Sequence, residues 1–443
     1  MKESEVLKKL EEFIAIQSVS ADPARRNHIK KAVNFLKTEL ESLGFTVHII
    51  AKAGAPPLVY GKYITTSSAR TIGIYGHYDV QPEDPVDEWK SDPFVLTRSN
   101  GKLFARGVAD DKGHVIQNLV ALRNIIQRGD LKNNIMCLFE GEEETGSPHM
   151  EGYVQELLKE LGKVDVFYIT DMGMYERNIP QIFYALRGLV YFELEIVTGT
   201  RDLHSGSYGN KVLNPLQITA QLFASMKDPQ THKVLIPSFY DDVTKPSDKE
   251  IKQLNKIAKS PDVEKAESGV FKTITVDGVD PYLSAKIFPS LDINGMFGGY
   301  TGAGAKTVIP YSAHIKFSCR LVEHQDPHKI AELVKNFIKN SLPEGVQHSL
   351  KVDSVNAPFY TNINNEFVRQ TSNIFKDVFG HEVIFSRSGG SIPSAEIIQR
   401  LTHKPVILTG FILPDNNLHS PNENYDEEMF WKGIVALEKV YGS

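Results

Sequence analysis

Five short segments bearing carboxylate or imidazole side chains punctuate this chain, and most of them directly follow an apolar run that reads as a buried strand. In order they are Gly76-His77-Tyr78-Asp79, Asp110-Asp111-Lys112-Gly113, Glu142-Glu143-Glu144-Thr145-Gly146, Asp171 and His419-Ser420-Pro421-Asn422. Open α/β sheets collect ligands outside the carboxyl ends of their strands. Separate strands that each deliver an acid or a histidine to that edge would converge on one site suited to divalent metal. The pattern points to a metal-dependent hydrolase in which the central aspartate is the candidate bridge between two metals.

The rest of the chain supports such a scaffold. Leu7, Leu10, Phe13 and Ile14 recur at helical spacing, as do Ile29, Val33, Leu36, Leu40 and Leu43, and Gly44 is placed to stop the second helix in a left-handed conformation. Residues 45–50, 71–75, 134–140, 165–170 and 405–410 read as strands, and Val115 to Ile126 as a helix between two of them. Alternation of strand and helix indicates a mostly parallel sheet flanked by helices. Near Arg187 the texture changes. VYFELEIV (190–197) alternates like a half-exposed strand, a helix is expected around 213–226, 306–322 is strand-like, Ile330 to Ile338 is helical, and 348–355 alternates again. Residues 228–290 are polar and irregular. At 443 residues the chain exceeds what one core usually serves. The expectation is a catalytic α/β domain in two parts, 1–186 and 358–443, with an α+β lid or dimerisation domain of four strands and two helices inserted over 187–357.

Composition narrows the partners. Hydrophobic content of 41% and charged content of 23% are those of a globular protein, and a net charge of -6 gives no reason to expect nucleic acid. No run approaches a membrane span, and the opening MKESEVLKKLEEF is amphipathic rather than an apolar signal core. Cys137 and Cys319 stand alone, which supports neither a disulfide framework nor a thiolate zinc site and leaves a cytoplasmic location as the simplest expectation.

Taken singly, each motif has a plain structural reading. His77 and Asp79 face the same way in extended backbone, so Asp79 is either a second ligand or an orienting group. Asp110 and Asp111 suit the start of a helix without any metal. Three adjacent glutamates repel unless cations or solvent neutralise them, and a solvated charge run is the ordinary explanation. Convergence of all the segments on one sheet edge favours the metal reading.

GHYDVQP (76–82), RGVADDKG (106–113), EGEEETGS (140–147), ITD (169–171) and HSPNEN (419–424) closely resemble the co-catalytic metallo-exopeptidases of the aminoacylase, carboxypeptidase and dipeptidase superfamily. RDLHSGSYG (201–209), GAKTVIP (304–310), FSCRLV (317–322) and GGSIP (389–393) resemble its cytosolic nonspecific dipeptidase and carnosinase branch. The resemblance spans nearly the whole chain, with the motifs in order. It implies His77, Asp110 and Asp171 around one divalent ion and Asp110, Glu144 and His419 around a second, zinc by family, with manganese or cobalt chemically reasonable. It implies Asp79 as the group orienting His77 and Glu143 as general base, leaving Glu142 as a neighbour. Two such ions roughly 3.5–4 Å apart activate a water and polarise the scissile carbonyl. The resemblance further implies that His204 reaches the partner subunit's site in a homodimer and stabilises the oxyanion. Arg320 would bind the substrate's free carboxylate, and Thr307 and Ser391 would contact substrate. Ser388 is a departure, since Glu is expected there. The implied activity is hydrolysis of dipeptides and short peptides, with an N-acyl amino acid amidohydrolase or a non-catalytic binding relative as the alternatives.

Overall fold

The computed structural model describes residues 1–390 and 392–443, which fall into two compact units. The first comprises 1–184, 361–386 and 392–443, and the second 185–360 and 387–391. No helix among the described residues is long and apolar enough to cross a membrane.

Along the chain the main strands are β1 (Thr46–Ile50), β2 (Leu58–Tyr63), β3 (Thr71–His77), β4 (Asn134–Glu140), β5 (Val166–Ile169) and β6 (Gln181–Leu186), then β7 (Gly188–Val197), β8 (Ser290–Gly298), β9 (Ser312–Leu321) and β10 (Gln347–Asn356), and finally β11 (Val406–Thr409). In the first unit they order as β1-β2-β4-β3-β5-β11-β6. The central four, β4, β3, β5 and β11, run parallel, whereas β2 and β6 flank them antiparallel. Every residue of β3 and β4 is buried, as expected of parallel strands covered on both faces.

Helices supply that cover because their apolar residues recur on one side. Val6, Leu10, Phe13 and Ile14 are the buried positions of the helix Glu3–Ile14, and Phe13 stacks on Phe35 of the next helix at 4.6 Å. Gly44, just past the helix Arg26–Ser42, takes the left-handed conformation with φ 90°. The helix Lys112–Arg128 is buried along most of its length and opens directly after Asp110-Asp111.

The second unit is built on the antiparallel sheet β8-β9-β7-β10. In β7 burial alternates residue by residue, so Val190, Phe192, Leu194 and Ile196 enter a core shared with the helices Pro215–Met226 and Pro327–Ser341. Two readings of this region need revision. The strand-like run 306–322 is broken at Pro310: Val308–Ile309 pair with Leu203–His204, and the sheet strand resumes at Ser312. The irregular stretch also holds three short helices, Asp248–Ile257, Pro261–Ser268 and Pro281–Ile287. Their signals are local, namely a Ser247/Glu250 capping box and prolines at the first helical position after Ser260 and Asp280. Their short apolar faces hid them from a periodicity reading.

Candidate active site

The parallel strands β3, β4, β5 and β11 all end at one edge of the first unit's sheet, and the chemistry-bearing residues stand just beyond those ends. His77 closes β3 and is fully buried. Its Nδ1 lies 3.1 Å from the Asp79 carbonyl and 3.3 Å from Asp79 Oδ1. Both neighbours are acceptors, so Nδ1 carries a proton and Nε2 is the nitrogen turned toward the other acids. That nitrogen lies 3.0 Å from Asp110 Oδ1 and 3.6 Å from Asp171 Oδ2. Asp171 follows β5. A close backbone approach holds it there: a Cβ on Gly410, at the end of β11, would meet the Met172 carbonyl oxygen at 1.6 Å. Only glycine fits that position.

Asp110 faces both histidines. Its Oδ2 is 2.9 Å from His419 Nε2, and the same nitrogen is 3.2 Å from Glu144 Oε2. His419 has left-handed backbone (φ 58°) in the loop after β11. Asp111 is turned the other way. Its Oδ2 accepts from the His77 amide at 3.1 Å and its Oδ1 faces His114 Nδ1 at 3.0 Å. His114 Nε2 accepts from the Phe411 amide at 3.2 Å, which leaves the proton on Nδ1 and makes Asp111 the acceptor. Donor atoms of His77, Asp111 and Asp171 lie within 4.8 Å of one another, as do those of Asp110, Glu144 and His419. Both oxygens of Asp111 are already engaged by first-unit groups, whereas those of Asp110 point to one imidazole of each set.

Three supporting residues went unassigned at the level of sequence. Glu423, fully buried, accepts from the amides of Gly107, Ala109 and Asp110 at 2.9–3.1 Å and pairs with the buried Arg106 at 2.7 Å. It therefore shapes the loop that presents Asp110. Gln81 donates to Glu144 Oε2 at 2.8 Å. Each belongs to a segment already singled out, 76–82, 106–113 or 419–424, yet an amide or an ion pair carries no signature of what it will touch. Asp79 also does more than orient His77, because its carboxylate accepts from the amides of Glu143 at 3.3 Å and Glu144 at 3.2 Å. Glu142 points away and receives both the amide and Nδ1 of His149.

The electrostatics follow from packing acids close together, with His77 fully buried and His419 exposed. Burial and then the charges of Asp111 and Asp110 push Asp171 up to about 7. Burial also raises Glu143, against the pull of His77 and with that of Asp171 and Asp110. Burial would raise Asp110 too, but hydrogen bonds from His419 and His77 hold it below the usual range. Hydrogen bonds to Asp110 and Glu144 lift His419 to about 10. Burial opposes protonation of His77, and the charge of Asp171 with its carboxylate bonds overcomes it. The cluster thus holds more negative charge than its fixed cations neutralise, so protons stay on it near neutral pH. Glu144 Oε1 is moreover buried with no hydrogen-bond partner among the described residues. This donor set, two imidazole nitrogens aimed at crowded carboxylates and an unsatisfied carboxylate oxygen, fits divalent cations, which would take the place of those protons.

The remaining residues belong to the second unit. His204 pairs with Val308, its Nδ1 accepts from the Gly206 amide at 3.0 Å, and Ser205 donates to the Thr307 carbonyl at 3.0 Å. His204 and Thr307 are therefore neighbours. Arg320 stands apart on β9, opposite Leu189 and Ser290. Ser388 Oγ accepts from the Gly390 amide at 3.2 Å. Ser391 lies outside the described residues.

An α/β sheet with acids and histidines clustered beyond its parallel strand ends defines the class: a hydrolase built to work with divalent metal. Residues 73–442 match the model of peptidase family M20/M25/M40, and the chain belongs to that family. It is 32% identical to the Cys-Gly metallodipeptidase DUG1 of Candida albicans, over 97% of this chain and 93% of that protein. It is 30% identical to the human Beta-Ala-His dipeptidase, over 99% of this chain and 90% of that one. Among solved structures, the M20 family metallo-carboxypeptidase Sso-CP2 of Sulfolobus solfataricus superposes with a TM-score of 0.85 at 31% identity, covering 100% of this chain and 99% of that one.

Proposed function

We propose that the protein hydrolyses the peptide bond of dipeptides and short peptides bearing a free C-terminal carboxylate, as a dinuclear metallo-dipeptidase. The carrying observation is the Asp110 carboxylate, with one oxygen 3.0 Å from His77 Nε2 and the other 2.9 Å from His419 Nε2. His77, Asp110 and Asp171 would hold one divalent ion and Asp110, Glu144 and His419 the other, zinc first, with manganese or cobalt as substitutes. When bound, such a pair acidifies water and polarises a carbonyl.

The chain's own groups do the rest. Glu143 takes a proton from the attacking water as the new C–O bond forms. It then delivers that proton to the amine nitrogen as the C–N bond breaks. Burial raises its pKa, which suits a carboxylate that must carry a proton from one step to the next. Asp79 is a positioning residue for the His77 ring and for the amides of Glu143 and Glu144. In the second unit, Arg320 takes the substrate carboxylate in a bidentate grip, and Thr307 and Ser391 contact the substrate. His204 of the partner subunit stabilises the oxyanion, which makes the homodimer the working form. The two cysteines, both free and buried, are in keeping with a cytoplasmic enzyme.

Turnover of a dipeptide panel beside N-acetyl amino acids tests this reading; hydrolysis confined to the N-acyl compounds would make the protein a deacylase. A second reading is a carboxypeptidase acting on longer chains, favoured by the name of the Sulfolobus relative. Release of single C-terminal residues from tetrapeptides at rates matching dipeptides would support it.

A further inference from the structure

Arg187, at the entry to β7, sends Nη2 to Ser290 Oγ at 3.1 Å and to the Phe288 carbonyl at 3.2 Å. Ser290 stands directly opposite Arg320 in the antiparallel register of β8 and β9. Opposed residues share a sheet face with their Cβ atoms about 5 Å apart, so the two guanidinium groups serve one patch. Lys286, on the helix Pro281–Ile287 that leads into β8, adds a third cation. Burial, and then the charge of Arg320, pushes Arg187 down to about 10, with Asp292 opposing. Lys286 is likewise lowered by burial and then by Arg187.

Charge is not fully balanced within this patch, although the charge of Glu264 offsets part of that of Lys286. Among the described residues neither arginine has a carboxylate within salt-bridge reach. The acid on the same strand face, Asp292, is engaged by Lys227 Nζ at 3.5 Å and by Ser290 Oγ at 2.8 Å. Arg187 Nε is buried and has no acceptor among the described residues. Desolvated like charges raise the energy of the free protein, and an anionic ligand relieves that repulsion.

We propose that Arg187 and Lys286 extend the Arg320 seat into a site for two anionic groups, making Arg187 a specificity-determining residue for dipeptides with an acidic C-terminal side chain. One carboxylate neutralises one of the three cations. The second anionic group, the side-chain carboxylate of a C-terminal Glu or Asp, meets the remainder. This inference rests on the dipeptidase reading.

The test compares kcat/KM for Ala-Glu and its neutral isostere Ala-Gln in the metal-loaded protein. The wild-type enzyme should favour Ala-Glu at least five-fold, chiefly through KM. Arg187→Met should cut that ratio at least five-fold, Arg187→Lys should restore part of it, and Lys286→Met should lower it in the same direction without touching the strand. A wild-type ratio of one or less, or an Arg187→Met variant that loses both substrates equally with no recovery in Arg187→Lys, overturns the proposal and leaves Arg187 as a brace for 288–290. If neither dipeptide is hydrolysed at all, the dipeptidase reading has failed and this inference falls with it.

Discussion

Asp110 Oδ2 lies 2.9 Å from His419 Nε2, although 309 positions separate the two residues in sequence. The contact closes the ring of donors begun by His77 on β3, and both ends of the first unit's chain are needed to make it. Replacing Asp110 with Asn keeps the volume but removes the charge and half the acceptor capacity. Metal content by elemental analysis should fall from two ions per chain toward one or none, and hydrolysis should drop by at least about a thousand-fold. Full metal occupancy in that variant would remove Asp110 from the bridge.

Glu143 should be separable from the metal set. In Glu143→Ala the metal content should match wild type, while kcat falls by about 10²–10⁴-fold, the range expected for loss of a positioned proton carrier. Retention of wild-type kcat would reassign the general base.

Glu423 meets no side chain of the expected ligands, yet its carboxylate accepts from the Asp110 amide at 3.1 Å. In Glu423→Gln an amide nitrogen would oppose those donors and the partner of Arg106 would lose its charge. Metal affinity, measured by competition with a chromogenic chelator, should weaken by about 10–100-fold, as is usual for groups behind a metal ligand. An unchanged affinity would make the residue a packing element only.

Glu140 is expected to give the protein a pH-dependent stability. Its Oε1 accepts from Ser147 Oγ at 3.0 Å and meets Ser394 Oγ and the Tyr75 hydroxyl, but burial outweighs these bonds and pushes it up to about 7 from an ordinary 4.5. The unfolded chain ionises first. The wild-type protein should therefore lose up to about 3 kcal/mol relative to Glu140→Gln as pH rises from about 4.5 to 7, with no further change in the gap below that window. Urea unfolding of both proteins across this range checks the sign, and a gap that widens on acidification contradicts it.

Shared sites in a homodimer predict complementation. Asp110→Asn and His204→Ala are each expected to be nearly inactive, and a refolded one-to-one mixture should regain about one quarter of wild-type activity, since half the dimers are mixed and each has one complete site. Failure of the mixture to rise above its components would place His204 outside the partner's site.

Much of the scaffold could be read along the chain, because burial on both faces of β3, β4, β5 and β11 demands continuous apolar runs, and these are plain in the residues. Alternation in β7 was equally visible. The short helices between 248 and 287 were not, since their evidence lies in caps rather than in period.

Residue order by itself determined which side chains stand at the strand ends, since those positions are local. It left Asp110 and Asp111 as interchangeable helix-opening acids, and it took resemblance to a family to tell them apart. Only the tertiary structure turns one carboxylate toward His77 and His419 and the other toward the His77 amide and His114. It alone sets Glu423 beneath the Asp110 loop and brings Arg187 to the strand beside Arg320. The reason is physical: a residue's type records what it can bind, but its partner is chosen by long-range packing, and burial then makes each pairing strong enough to matter.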